Sequence, residues 1–213
     1  MARRFKPLSA ELTRTLPPGC AGCVFWESPE PLPLVCGAKC DPAFADGWVQ
    51  RVRSEWGDCG RAVVEDGETL GFIKYAPPGF LPQARIMRAG PPDDRDVLIA
   101  CMHISPEARC KGLGKVLMQA ALRDLVQRGE KGVQVYATTR QDEFETSPVM
   151  GMAFLARMGF TVSKPDPLMP LMRLDLRSLV AWTDNLEAVL ESLRIPLPIP
   201  RRTPVTNFKK GSS

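Results

Sequence analysis

At 213 residues, 44% of them hydrophobic, the chain is long enough to bury one sizeable core with appendages, and no apolar run reaches the length that crosses a membrane as a helix. Its net charge of +4 sits at the ends: residues 1–15 carry Arg3, Arg4, Lys6 and Arg14 against Glu11, and the stretch after Arg194 carries Arg201, Arg202, Lys209 and Lys210 with no acid. The body between them is therefore mildly acidic, which argues against a nucleic-acid platform, and with no charged-then-apolar leader the expected location is the cytoplasm, where seven cysteines are reduced thiols or metal ligands rather than disulfides.

Residues 1–19 are basic and then proline-rich and read as a loosely held arm. Residues 20–40 hold two close cysteine pairs, Cys20 with Cys23 and Cys36 with Cys40, each with a glycine inside it. Tight turns of this kind let neighbouring thiolates converge on one tetrahedral ion, so a structural zinc is the expected guest, with Cys59 as a substitute ligand. An iron–sulfur cluster would use the same ligands, and plain reduced thiols or a redox pair at Cys20 and Cys23 are the other readings.

From Asp41 to Trp56, the order Phe44, Trp48, Val52, Trp56 steps by four and predicts a helix with an aromatic face, started by Asp41 and Pro42. Residues 61–65 and 69–75 flank Asp66-Gly67 and predict a hairpin. Residues 76–96, with five prolines, predict a long connection of the kind that is functional or mobile. Val97 to Ile104 is an almost unbroken apolar run of strand length, suited to a strand covered on both faces.

After it, Leu113, Leu117, Ala121 and Leu125, with Met118, Leu122 and Val126 beside them, form an apolar helix stripe, with Arg123, Asp124, Gln127 and Arg128 facing away. Residues 132–138 predict another strand, residues 149–160 a helix, and residues 160–162 and 171–176 two closing strands. Asp142, Glu143 and Glu145 populate a loop read as solvated rather than as an acidic rim. Residues 184–193 read as a short amphipathic helix, and 195–213 as a basic, proline-rich tail with too little apolar surface to fold.

The chemistry concentrates in Arg109-Cys110-Lys111-Gly112-Leu113-Gly114-Lys115, between strand and helix. Its glycines admit close backbone approach, and the helix N-terminus offers unpaired N–H groups, so an anion such as a phosphate is expected there. A Walker loop is excluded because Val116 follows Lys115, and a dinucleotide fingerprint because Leu117 stands where its third glycine belongs.

What remains is Arg/Gln-x-x-Gly-x-Gly/Ala. Here the sequence resembles the GNAT-type N-acetyltransferase superfamily, over about residues 44–176, with GVQVYAT at 132–138 as the next strand and VMGMAFLARMGF at 149–160 ending in a Gly-Phe turn. The resemblance implies a mixed α/β fold: a twisted, mainly antiparallel sheet, splayed at its centre and flanked by helices, occupying 41–194. It implies acetyl-CoA held by Arg109, Cys110, Lys111, Gly112, Leu113, Gly114 and Lys115, with its pantetheine arm on the backbone of Met102, His103 and Ile104. It also implies that early-helix residues such as Trp48 or Glu55 line the acceptor cleft, and that the acetyl group passes directly to a primary amine of a small molecule or protein.

The catalytic set departs from the family. Leu155 stands where the acid tyrosine belongs and Leu98 where some members carry an acid, while Tyr75 and Tyr136 fall on strands. His103, the single histidine, is the candidate base because imidazole titrates near neutral pH. Cys110 reads as a small loop residue rather than a nucleophile. The rival reading is a catalytically degenerate acyl-CoA-binding module whose cysteine segment senses metal or redox state; either form is expected as a monomer or homodimer.

Overall fold

A computed structural model of the chain describes residues 3–16, 19–140 and 147–178. Asp142, Glu143, Glu145, the expected helix over 184–193 and the tail from Ile195 lie outside the described residues. Two helices and a hairpin start where local chemistry places them. In α2 (Pro42–Glu55), Asp41 caps the N-terminus by accepting from Phe44 N–H at 2.9 Å, and Pro42 fills the first turn. Strands β2 (Gly60–Glu65) and β3 (Glu68–Ala76) are joined at Asp66 and Gly67, whose φ values of +50° and +91° suit the twist of a two-residue hairpin. Helix α3 (Leu113–Gln127) follows the 3.6-residue stripe.

These strands belong to one eight-stranded sheet among the described residues. Its order is β1 (Arg4–Pro7), β2, β3, β4 (Val97–Ile104), β5 (Gly132–Thr138), β8 (Leu171–Asp175), β7 (Thr161–Lys164), with β6 (Met150–Gly151) on β5. Only β4–β5 and β5–β6 are parallel. The arm expected over residues 1–19 is ordered where described: β1 pairs with β2, α1 (Ala10–Thr13) is capped by Ser9, and Asp46 of α2 accepts from Thr13 Oγ1 at 3.0 Å and Arg14 Nε at 2.9 Å. Alternating apolar residues were too few in this short stretch to signal a strand.

One apolar cluster lies under α3 and α4 (Met152–Arg157), where Leu117, Met118, Ala121 and Leu125 meet Ile73, Ile99, Val133 and Val135. The other lies on the opposite face, beneath α2 and the cysteine segment. That segment is held by Val24, Phe25 and Trp26, all at most 2% exposed, with Trp26 stacked on Tyr136 at 5.9 Å. Burying each side chain of this size contributes about 1.5–3 kcal/mol, so this three-residue plug anchors the segment on the core. On α2, Trp48, Val49 and Val52 face inward, whereas Phe44 is 46% exposed and drops out of the expected aromatic face.

The long connection over residues 76–96 contains two 3-10 turns, Pro78–Phe80 and Pro82–Ile86, and it is tied down. Tyr136 Oη lies 2.8 Å from Ala84 O and 2.7 Å from Gly90 O, and Trp48 Nε1 donates to Phe80 O at 2.7 Å.

Trp26→Ala is expected to destabilise the protein by about 3–5 kcal/mol in chemical denaturation, the cost of a large cavity in a packed core, whereas Phe44→Ala should stay within about 0.5 kcal/mol of the parent. Equal, small effects would mean that the plug does not order the segment.

Candidate active site

The site begins with an irregularity in β4. Lys74 and Tyr75 are adjacent on β3 but pair with Cys101 and Ile99, so Ala100 is an extra residue and β4 bulges there. Leu98, Ala100 and Cys101 consequently face the α2 side, and Met102 and Ile104 face the α3 side. Beyond the bulge β4 leaves β5, since their pairing stops at Ile99 with Val135. The edge of β5 thus vacated takes β6, which pairs with Ala137 and Thr138; on its other edge Ala137 N–H donates to Pro170 O and Thr139 N–H to Leu168 O. The expected splay is present.

Backbone alternation decides what the open edge of β4 offers. Ser105 N–H donates to Leu70 O at 2.8 Å, which makes Ser105 and His103 the positions bonded to β3. The N–H and C=O groups of Met102 and Ile104 therefore face the gap, and those of His103 do not. Arg109 Nε donates to Ile104 O at 3.1 Å, so this guanidinium turns back onto the strand.

The turn into α3 divides the roles of its two glycines. Cys110 and Gly112 both have left-handed backbone, at φ +57° and +78°, an arrangement that points successive N–H groups into one concavity. For Cys110 that conformation costs roughly 1 kcal/mol. A Cβ on Gly112 would meet nothing within 4 Å, whereas one on Gly114 would lie 3.1 Å from Ile104 Cδ1 and 3.5 Å from Met102 Cε. Gly112 thus leaves space at the mouth, and Gly114 lets α3 lie close on β4, a packing role rather than the ligand access expected of it. Leu113 is buried and offers only its backbone, while Lys111 and Lys115 are exposed.

On the other face of β4 a cavity of about 50 Å³ reaches from Met102 and His103 to the cysteine segment. The His103 ring faces this cavity, nearly parallel to Phe72 at 6.3 Å. Deeper in, Glu27 is 3% exposed and its Oε1 lies 2.5 Å from Lys74 Nζ, a close ion pair rather than an aligned hydrogen bond. Glu27 Oε2 has no hydrogen-bond partner among the described residues, which for a buried polar group costs roughly 1–3 kcal/mol or more. Burial alone would drive Lys74 toward its neutral form, but the Glu27 carboxylate holds it protonated, above its ordinary value. Lys74 Nζ also sits 5.5 Å from the Trp48 ring centroid. Trp48 lines this cavity; Glu55 pairs with Arg51 on the exposed face of α2.

Cys20, Cys23 and Cys36 line this cavity together with Cys101 of β4, while Cys40 is exposed and directs its thiol to Gly37 O. The four-thiolate site of Cys20, Cys23, Cys36 and Cys40 is not assembled: among the described residues no group of three or more His, Cys, Asp or Glu side chains is placed to hold a metal ion. Burial, reinforced by neighbouring thiols, pushes Cys20 and Cys36 up to about 12; burial does the same for Cys101 against the pull of Lys74. Cys59 lies in the core rather than beside them.

The family's acid positions are apolar here. Leu155 and Leu98 are both fully buried in the core. Neither tyrosine replaces them: Tyr75 Oη donates to Asp124 Oδ2 at 2.5 Å at the far end of α3, and Tyr136 is held under the 76–96 connection, burial raising both well above the ordinary phenol value. Glu27, Lys74 and Cys101 were not singled out from sequence. A charged residue inside an apolar run, Glu27 after Val24-Phe25-Trp26 and Lys74 within Gly71-Phe72-Ile73-Lys74-Tyr75, was the signal for the first two.

A family model described as Acetyltransferase (GNAT) family matches residues 25–160. Among solved structures the fold is similar to PaiA N-acetyltransferase from Thermoplasma acidophilum in complex with coenzyme A, at 17% identity and a TM-score of 0.50 over 82% of this chain and 99% of that one. It is similar also to an N-acetyltransferase from Staphylococcus aureus Mu50 (12% identity, TM-score 0.55, 83% and 99% covered). A third is Naa20 from Chaetomium thermophilum in complex with a bisubstrate analogue (16%, 0.51, 84% and 90%). No curated protein matches the sequence.

Alkylation by iodoacetamide near neutral pH, read by mass spectrometry, is expected to modify exposed Cys110 first. Cys20, Cys36 and Cys101 should react slower by on the order of a hundredfold or more, because only the thiolate reacts and each unit of upward shift removes tenfold of it. Labelling of Cys20 or Cys101 as fast as Cys110 would show free, ionised thiols in the cavity and overturn the ordering expected from burial.

Proposed function

Because the chain belongs to the acetyltransferase (GNAT) family, we propose that it carries an acetyl group from acetyl-CoA directly to a primary amine. The observation that carries this reading is the departure of β4 from β5 after Ile99, which leaves the backbone of Met102 and Ile104 on an open edge beside the left-handed turn at Gly112. PaiA, similar in fold, was solved with coenzyme A, which supports the cofactor.

The residues present fit acetyl-CoA. The N–H groups from Cys110 to Lys115 would face its pyrophosphate, with no Cβ at Gly112 to obstruct it and with the exposed Lys111 and Lys115 adding positive charge. Met102 and Ile104 would hold the pantetheine arm as a strand holds its neighbour. When bound, acetyl-CoA supplies the acyl group as a thioester activated toward attack by nitrogen. The chain's own contribution is to hold an acceptor amine in the cavity on the opposite face of β4, aligned with that carbonyl, so that proximity supplies much of the acceleration. His103 lines the cavity beside Met102 and would accept the proton that the attacking nitrogen must shed. A covalent acetyl-enzyme is not needed, and the high-lying thiol of Cys101 disfavours one.

A second reading, an acyl-CoA-binding module without turnover, is favoured by the buried Leu155 at the acid position and by the engagement of both tyrosines elsewhere. Production of free CoA with a panel of primary amines, followed chromatographically, separates the two.

Gly112→Asp is expected to weaken acetyl-CoA binding by on the order of a thousandfold in calorimetry, since like charges about 4 Å apart near a protein surface repel by roughly 4 kcal/mol. Gly112→Asn, which tolerates left-handed backbone, should lose far less, and equal losses would assign the effect to backbone strain. His103→Ala should lower kcat by about tenfold to a hundredfold with CoA affinity unchanged; an unaltered pH–rate profile in that variant would reassign His103 to packing.

A further inference from the structure

Among the described residues, the cavity beneath the cysteine segment is charge-balanced before any acceptor enters. Its two charged side chains there, Glu27 and Lys74, already face each other at 2.5 Å, and the other described titratable groups lining it are the thiols of Cys20, Cys23, Cys36 and Cys101 and the ring of His103. Lys74 cannot swing aside freely, since its ammonium is held between the Glu27 carboxylate and the Trp48 ring. Among what the cavity still offers is an acceptor, Glu27 Oε2, buried and without a hydrogen-bond partner among the described residues.

We infer that this cavity selects its acceptor by basicity, taking the neutral form of a weakly basic primary amine, whose N–H donates to Glu27 Oε2, and turning away alkylammonium ions. The inference rests on the acetyl-transfer reading and names its substrate class. An ammonium ion entering here must shed its water beside Lys74 with no uncompensated anion among the described residues to receive it. A neutral amine needs only an acceptor for its N–H, and it keeps its lone pair for the acetyl carbon. Bound in that form, the nitrogen attacks, the C–S bond breaks, one N–H proton leaves through His103, and the CoA thiolate takes up a proton.

Amines substantially neutral near physiological pH include α-amino groups, at about 7.7–8.0, and hydrazides, whereas a lysine-type amine titrates at about 10.4. Polypeptide N-termini and small molecules share this chemistry.

The test uses the full chain with glycinamide, a glycine-initiated peptide, semicarbazide and n-propylamine as acceptors. At about pH 7.5, kcat/KM on total amine should favour glycinamide over n-propylamine by about a hundredfold or more, in line with their neutral fractions. Preference for the peptide or for semicarbazide identifies the source. Glu27→Gln should lower kcat/KM for glycinamide at least about tenfold while acetyl-CoA affinity in calorimetry stays within about twofold. Lys74→Met, which leaves Glu27 uncompensated, should shift preference toward n-propylamine, a reversal that a purely structural role would not produce.

Should either variant fail to fold, ligand-observed NMR on the parent protein decides. Glycinamide binding should strengthen as pH rises through its own pKa, and n-propylammonium should not compete with it. Equal binding of n-propylammonium, or an unchanged glycinamide rate in folded Glu27→Gln, overturns the inference. Absence of acetyl-CoA binding alongside Glu27-dependent amine binding would remove the acetyl-transfer reading and leave the cavity assignment standing.

Discussion

A strand can hold a hydrogen-bonded neighbour only on an edge that still faces it, and the extra residue at Ala100 turns β4 away from β5 halfway along its length. Below that point the sheet is closed and clamped. Asp96, just before β4, receives Arg173 of β8 through Nε at 2.6 Å and Nη2 at 3.1 Å, and Gln134 of β5 donates to the same carboxylate at 2.9 Å. Above it the strands part, and β6 covers the edge of β5 without restoring a partner to β4. The clamp at one end lets the other stay open without unravelling the sheet, and the bulge puts Cys101 and His103 on the cavity face while Met102 and Ile104 turn to α3.

The two faces of β4 are closed by different means. On the α3 side, Gly114 removes the atoms that would hold the helix off the strand, and the helix N-terminus comes to lie beside the open edge. On the α2 side, the cover is the short segment bearing Phe25 and Trp26, held by an isolated antiparallel backbone pairing of Cys23 with Cys40, both free thiols, and by the Asp41 N–H bonded to Gly22 O at 2.7 Å. Hydrophobic burial orders this segment, and in doing so it carries Glu27 under the sheet to Lys74. A buried ion pair is seldom a net source of stability, because desolvation offsets its attraction. The Glu27–Lys74 pair lies in the same cavity that reaches His103 on β4.

Much of this was legible in the chain itself. The limits of β4 and β5, the capped start of α2 and the glycine turn before α3 agree with what periodicity, Asp41-Pro42 and the Gly112-Leu113-Gly114 spacing imply, because each depends on residues within a few positions of one another. The N-terminal strand was missed because four residues pairing with a hairpin some sixty positions away carry almost no local signal.

The cysteines show most plainly where local reading ends. Spacing of Cys20, Cys23, Cys36 and Cys40 implies that they can converge, and it says nothing about what lies between them. Folding brings three of them to Cys101, Glu27 and Lys74, residues from a loop and two strands, and turns Cys40 outward. The sequence by itself determined the family's strand–turn–helix and its missing acid, since both rest on short-range spacing. Only the tertiary structure decided the bulge at Ala100, the separate duties of Gly112 and Gly114, and the buried Glu27–Lys74 pair, because each is a matter of which side chain or backbone edge faces which across contacts distant in the chain.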